Sequence, residues 1–169
     1  MNLRLTRLDK LYYRLQAQHV CLNWAATEIA PMSGVVFELG LGHGRTYDHL
    51  RTRLPDREIH VFDREVDCIA DCTPPDDRLW LGDVDKTLAA AQERFGGRVV
   101  LLHADLGTYE AERNEVIKEI LRRRVPPLLA PGAIVLSDLP LVLEGASPLP
   151  LPDGAREGRY FLYRRSSSS

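Results

Sequence analysis

Hydrophobic and polar positions alternate along this chain between a helical and an extended rhythm. Over residues 4–29, Leu8, Leu11, Tyr12, Leu15, His19, Leu22, Ala26 and Ile29 recur at spacings of three and four, which predicts one amphipathic helix or two, ended by Pro31 and Gly34. Val35–Leu39 is a near-continuous apolar run with one acid, Glu38, and predicts a buried strand. A helix is expected from Arg45 to Leu54, then a strand Ile59–Phe62 stopping at Asp63, then a short helix from Arg64 to Ala70 and a loop over Cys72–Asp77. Leu79–Leu81 predicts a third strand, and Asp83 or Asp85 a helix cap leading to Phe95. Val99–Leu102 predicts a fourth strand. Thr108 is the expected cap of a helix through Arg124, with Val116, Ile117, Ile120 and Leu121 inward. Pro131 and Gly132 turn the chain into a fifth strand, Ala133–Ser137, and two short strands, Leu149–Leu151 and Tyr160–Tyr163, close it.

Strands separated by helices imply a largely parallel sheet covered on both faces. The expected fold is α/β: a doubly wound three-layer α/β/α sandwich with N-terminal helices and a C-terminal antiparallel hairpin. Residues 1–165 form the single expected domain, with 1–32 as a helical cap on a core of 33–165 and a disordered tail at 166–169. Right-handed crossovers bring the strand C-termini to one edge, where such sheets bind ligands.

At 169 residues the chain has room for one domain and not for a second, separate substrate domain. Lys and Arg number 22 against 24 Asp and Glu, so the net charge is −2 and no global basic field recruits nucleic acid or an anionic membrane. No apolar run is long enough for a membrane span, and the charged N-terminus does not read as a secretory signal. Three cysteines, Cys21, Cys68 and Cys72, do not make a disulfide framework and point to a reducing, cytoplasmic setting.

The chemistry concentrates at strand ends. Gly40, Gly42 and Gly44 follow the first strand and open a helix, so the backbone can approach a ligand and helix N–H groups are available to it. No Lys completes a phosphate-binding Gly-rich loop, and Arg45 stands where a dinucleotide fingerprint needs its third glycine. Glu38 with the three glycines resembles motif I of class I S-adenosylmethionine-dependent methyltransferases. Asp63 resembles that family's ribose-binding acid, and a carboxylate suits a diol because it accepts from both hydroxyls. Gly82, Asp83 and Val84 resemble the element that frames the adenine, and the segment from Leu128 through Pro131 and Gly132 resembles the family's lead-in to strand five.

The resemblance implies S-adenosyl-L-methionine as cofactor, bound by Glu38, Gly40, Gly42, His43, Gly44, Thr46, Asp63, Arg64, Gly82, Asp83, Val84 and His103. It implies a methyltransferase acting by in-line displacement on a small-molecule substrate, with no nucleic acid or membrane partner and a homo-oligomer left open. The alternative is a cofactor-binding protein without transfer activity, a sensor or partner subunit.

His103 and Asp105 are the candidate catalytic groups. The histidine's ordinary pKa would suit a general base at neutral pH, or it serves the fold through a hydrogen bond. His103, Asp105 and Tyr109, with Asp138 and the segment Leu149–Gly154, also partly resemble small cation-dependent O-methyltransferases of the catechol and caffeoyl-coenzyme A type. The metal set does not carry over: His103 replaces an acid, and Leu106 and Leu139 stand where that group has polar side chains, so no metal is expected.

Overall fold

A computed structural model describes residues 4–167. Helix α1 (Arg7–Glu28) is a single helix opened by a reciprocal cap. Thr6 Oγ1 accepts the Asp9 N–H at 3.1 Å, and the Asp9 carboxylate accepts the Thr6 N–H at 2.8 Å. It buries Ala17, Gln18, Cys21, Leu22 and Ala25. Leu8, Leu11, Tyr12 and Leu15, four members of the expected apolar stripe, are instead exposed, and Leu11 and Leu15 border open cavities and not the core.

The remaining elements are β1 (Val35–Leu39), α2 (Arg45–Arg53), β2 (Ile59–Asp63), β3 (Leu79–Leu81), α3 (Val84–Phe95), β4 (Val99–Ala104), α4 (Ala111–Arg124), β5 (Leu129–Ser137), β6 (Ala146–Leu149) and β7 (Phe161–Arg165). The sheet runs β3-β2-β1-β4-β5-β7-β6. Strands β1 to β5 pair in parallel, while β7 is antiparallel to both β5 and β6. β1 and β4 are buried along their whole lengths, as central strands covered on both faces must be. Helices α1 and α2 pack together, as do α3 and α4, and right-handed crossovers put the pairs on opposite faces. This is the doubly wound α/β/α architecture, and its strand order reverses between β1 and β4.

Several local expectations are corrected. The expected helix over 64–70 does not form. Single 3-10 turns at Ala70–Cys72 and Asp76–Arg78 replace it, because this segment lies flat on the glycine loop: a Cβ on Gly44 would meet Cys72 Cβ at 2.6 Å. Thr108 does not cap α4. Its hydroxyl accepts the Glu110 N–H at 3.1 Å, and the helix begins one residue beyond that, at Ala111. Val116 is exposed, and Leu121 is the buried residue of α4. Pro131 and Gly132 lie inside β5, where the register with β4 shifts and Gly132 takes φ +76°. The sixth strand falls at 146–149, earlier than expected.

Ser166 donates its N–H to Gly145 O at 2.9 Å. Residues 1–3 of the expected cap and Ser168 and Ser169 of the expected tail lie outside the described residues. Among the described residues no helix is long and apolar enough to cross a membrane.

Candidate functional site

At the point of strand reversal, Gly40, Gly42 and Gly44 all adopt left-handed backbone, with φ of +93°, +49° and +78°. Gly40 could carry no side chain even without that strain, because a Cβ there would lie 2.6 Å from Asp105 O. The loop leaves β1 and enters α2 directly, with Gly44 as a helix cap that offers no side-chain acceptor. Asp63, at the end of β2, fastens this loop. Its Oδ2 accepts the N–H of Leu41 at 2.7 Å and of Gly42 at 3.1 Å, and its Oδ1 accepts the Arg64 N–H at 2.6 Å. Gly82 reaches the same place from β3 by donating its N–H to Asp63 O at 2.9 Å. Asp83 caps α3, accepting from Asp85 N at 3.1 Å and Lys86 N at 3.4 Å, and Val84 begins that helix.

Beneath the loop lies a closed polar chain. Glu38 and His103 are registered neighbours on β1 and β4, both fully buried, with His103 Nδ1 at 2.7 Å from Glu38 Oε2. Thr46 donates to the other Glu38 oxygen. Burial alone would lower the His103 pKa, but the Glu38 carboxylate outweighs it, with help from Asp105 and Asp138, so the value is raised. His103 Nε2 faces the Tyr160 hydroxyl at 3.4 Å, and Gln18 donates to that hydroxyl and to Asp105 Oδ2. Arg14 completes the chain with an ion pair to Asp105. Burial pushes the Tyr160 hydroxyl pKa upward, and the carboxylates of Asp105 and Asp138 add to this. Among the described residues no buried side-chain nitrogen or oxygen lacks a partner.

Asp105 and Asp138 form a second focus, at the ends of β4 and β5. Asp138 Oδ2 accepts the Gly107 N–H at 2.9 Å and its Oδ1 accepts the Leu106 N–H at 3.3 Å. A Cβ on Gly107 would collide with that carboxylate. Burial, and then the neighbouring Asp105 charge, push Asp138 up to about 6. Asp105 is held below its ordinary value: burial opposes this, but His103 and Arg14 prevail.

Two cavities open above these groups. One, of about 330 Å³, lies between α1 and the glycine loop; Gly40, Gly42, His43, Thr46 and Asp105 line it together with Leu11, Arg14, Leu15 and Gln18 of α1. The other, of about 730 Å³, lies over Asp138 between the first turns of α1 and the segment after β4. Sequence reasoning singled out the first five residues but not Arg14, Gln18 or Tyr160. Arg14 stands three positions after Leu11 and Gln18 three after Leu15, so helical spacing was the available signal. Glu38 and His103 do not line either cavity, and His43 turns its Nδ1 toward Asp67 O at 3.2 Å. Among the described residues no three His, Cys, Asp or Glu side chains group as metal ligands.

A family model described as S-adenosyl-L-methionine methyltransferase matches residues 5–165. The chain belongs to this family. Its cofactor is therefore S-adenosyl-L-methionine. Among solved structures, an S-adenosyl-L-methionine methyl transferase from Silicibacter pomeroyi DSS-3 is 45% identical, with a TM-score of 0.92 over 96% of this chain and 100% of that one. Human methyltransferase-like protein 13, in complex with SAH, is 11% identical with a TM-score of 0.54, covering 92% of this chain and 81% of that one. The antibiotic-resistance methyltransferase Kmr is 16% identical with a TM-score of 0.50, covering 98% and 95%. These last two share the fold. A comparison with curated proteins returned no match.

The residues of this family member suit such a cofactor. Its methionine end is a zwitterion, and the smaller cavity presents a guanidinium (Arg14), a carboxylate (Asp105), an amide (Gln18) and the glycine loop. Its ribose diol calls for an acceptor, and Asp63 is the carboxylate that lies beside the loop, where it accepts the Leu41 and Gly42 N–H groups.

Proposed function

We propose that this chain transfers a methyl group from S-adenosyl-L-methionine to a small acceptor seated over Asp138. The observation that carries this reading is the pairing of two cavities that share Leu11 and Arg14. One is built around the glycine loop, and the other has a carboxylate at its base. The cofactor supplies an activated methyl group when bound. The work of the protein is then to orient, desolvate and, where the acceptor must lose a proton, receive it.

Arg14, Gln18, Asp105, Thr46 and the loop Gly40–Gly44 hold the methionine end, and Gly82, Asp83 and Val84 adjoin the ribose side with Asp63 and Arg64. Glu38 and His103 act from below as positioning residues. Each His103 nitrogen already faces a protein partner, so the histidine fixes Glu38, and through it Thr46, at the mouth of α2. Asp138 is the group placed to take a proton, since it lines the acceptor cavity while Asp105 is occupied by Arg14 and Gln18. We read residues 33–165 as the transfer unit and 1–32 as the cap that closes it. Three free cysteines support the reducing, cytoplasmic setting.

Calorimetric titration with S-adenosylhomocysteine tests the cofactor half of the proposal, and transfer of labelled methyl from S-adenosyl-L-methionine to a small-molecule panel tests the other half. Tight nucleoside binding without transfer to any acceptor would favour the sensor or partner-subunit alternative.

A further inference from the structure

The larger cavity has a charge that the rest of the chain lacks. Arg7, Lys10, Arg14 and Arg159 line it against a single carboxylate, Asp138, although the chain as a whole carries a net charge of −2. Arg14 is committed to Asp105. Among the described residues Arg7, Lys10 and Arg159 make no ion pair or side-chain hydrogen bond.

The placement of two of them is costly. Arg7 and Lys10 sit in the first turns of α1, where the helix dipole disfavours positive charge. Arg7, Lys10 and Arg14 also follow one another at spacings of three and four, so like charges face each other along one side of the helix. An anion in the cavity would relieve both costs and gain the dipole's favourable end. The rest of the wall is Leu11, Leu139 and the fully exposed Tyr109, with Gly107 and Thr108 between them. A volume of about 730 Å³ suits a small molecule. The basic groups are gathered in one cavity and not along a stripe, which favours a compact anion over a nucleic-acid strand.

We infer that the methyl acceptor is a small molecule bearing an oxyanion, phosphate or carboxylate, held by Arg7, Lys10 and Arg159 with its nucleophile turned toward Asp138. This rests on the transfer reading above. In the reaction, the acceptor's lone pair forms the new bond to the methyl carbon. The carbon–sulfur bond breaks with its electron pair left on sulfur, and the acceptor's proton passes to the Asp138 carboxylate.

The test uses the full chain saturated with S-adenosylhomocysteine, titrated with phenyl phosphate, benzoate and neutral benzyl alcohol and followed by ligand-observed NMR and calorimetry. One or both anions should bind at least about tenfold more tightly than the alcohol, and whichever does so identifies the oxyanion. The variants K10Q and R159Q should each weaken that anion by about tenfold, with S-adenosylhomocysteine affinity unchanged, because neither residue borders the loop cavity. Equal binding of charged and neutral probes, no effect of either variant, or displacement of the anion by a short RNA at lower concentration would overturn the inference. A wild-type chain that does not bind S-adenosylhomocysteine would overturn the cofactor reading instead, and this inference with it.

Discussion

Glu38 and His103 meet at 2.7 Å across adjacent strands, neither with any exposure to solvent. Removing one partner of such a pair strands the other's charge in the core. Glu38→Gln should therefore destabilise the fold by about 3–5 kcal/mol in urea denaturation. The His103 pKa is raised in the fold, so the pair's contribution is complete below the ordinary histidine value of about 6.5. It is lost as pH rises through the raised value. The gap between wild type and Glu38→Gln should accordingly narrow toward alkaline pH.

Asp63 clasps the glycine loop through two backbone N–H groups, those of Leu41 and Gly42. Asp63→Ala should free both amides and speed their hydrogen exchange. It should also weaken S-adenosylhomocysteine binding by about tenfold or more, as read by calorimetry. Unchanged affinity would remove this carboxylate from the cofactor site.

Asp138 should titrate near the acid side of neutrality, with a midpoint at about 6 in carboxyl-carbon NMR. The charges facing it are Asp105, which raises the value, and Arg14, which lowers it, and the Gly107 N–H also favours the ionised form. Asp105→Asn should move the midpoint down toward the ordinary value of about 3.9. Because the folded value is raised, Asp138 contributes stability at acid pH that is lost as pH climbs through about 6. Asp138→Asn should abolish that slope.

The segment between β5 and β6 is tied to β7 by a buried hydroxyl. Tyr163 accepts the buried Leu141 N–H at 2.7 Å. Tyr163→Phe should leave that N–H without a partner at a cost of about 1–3 kcal/mol, measurable as a shift in the denaturation midpoint with the slope unchanged.

Much of the fold is legible in the chain because strand and helix periodicities differ and glycines mark the transitions. Val35–Leu39 and Val99–Leu102 could be read as buried strands from near-continuous apolar runs, and Gly40, Gly42 and Gly44 as the turn from strand to helix from their position. The outer part of α1 was harder. Its apolar stripe looks like core, but Leu11 and Leu15 border cavities, and periodicity cannot distinguish a wall of packed side chains from the wall of a pocket. Two buried histidines make the same point for charge. Burial lowers His60, which accepts a hydrogen bond from Trp80 Nε1 at 3.0 Å, whereas Glu38 raises His103. Each lies in an apolar strand, so the sequence alone does not separate them; the difference comes from long-range register. Arg14 and Asp105, 91 positions apart, are joined only once α1 has folded over the strand ends.

The position of Leu11 and Arg14 on both cavities has a kinetic consequence. A partition made of the same two side chains cannot adjust to one occupant without reshaping the space left for the other. Arg14 already pairs with Asp105 at the edge of the loop compartment, so the occupant that meets this pair first settles a wall of the far room before its guest arrives. Such a molecule should follow a compulsory order, with the nucleoside entering first and leaving last.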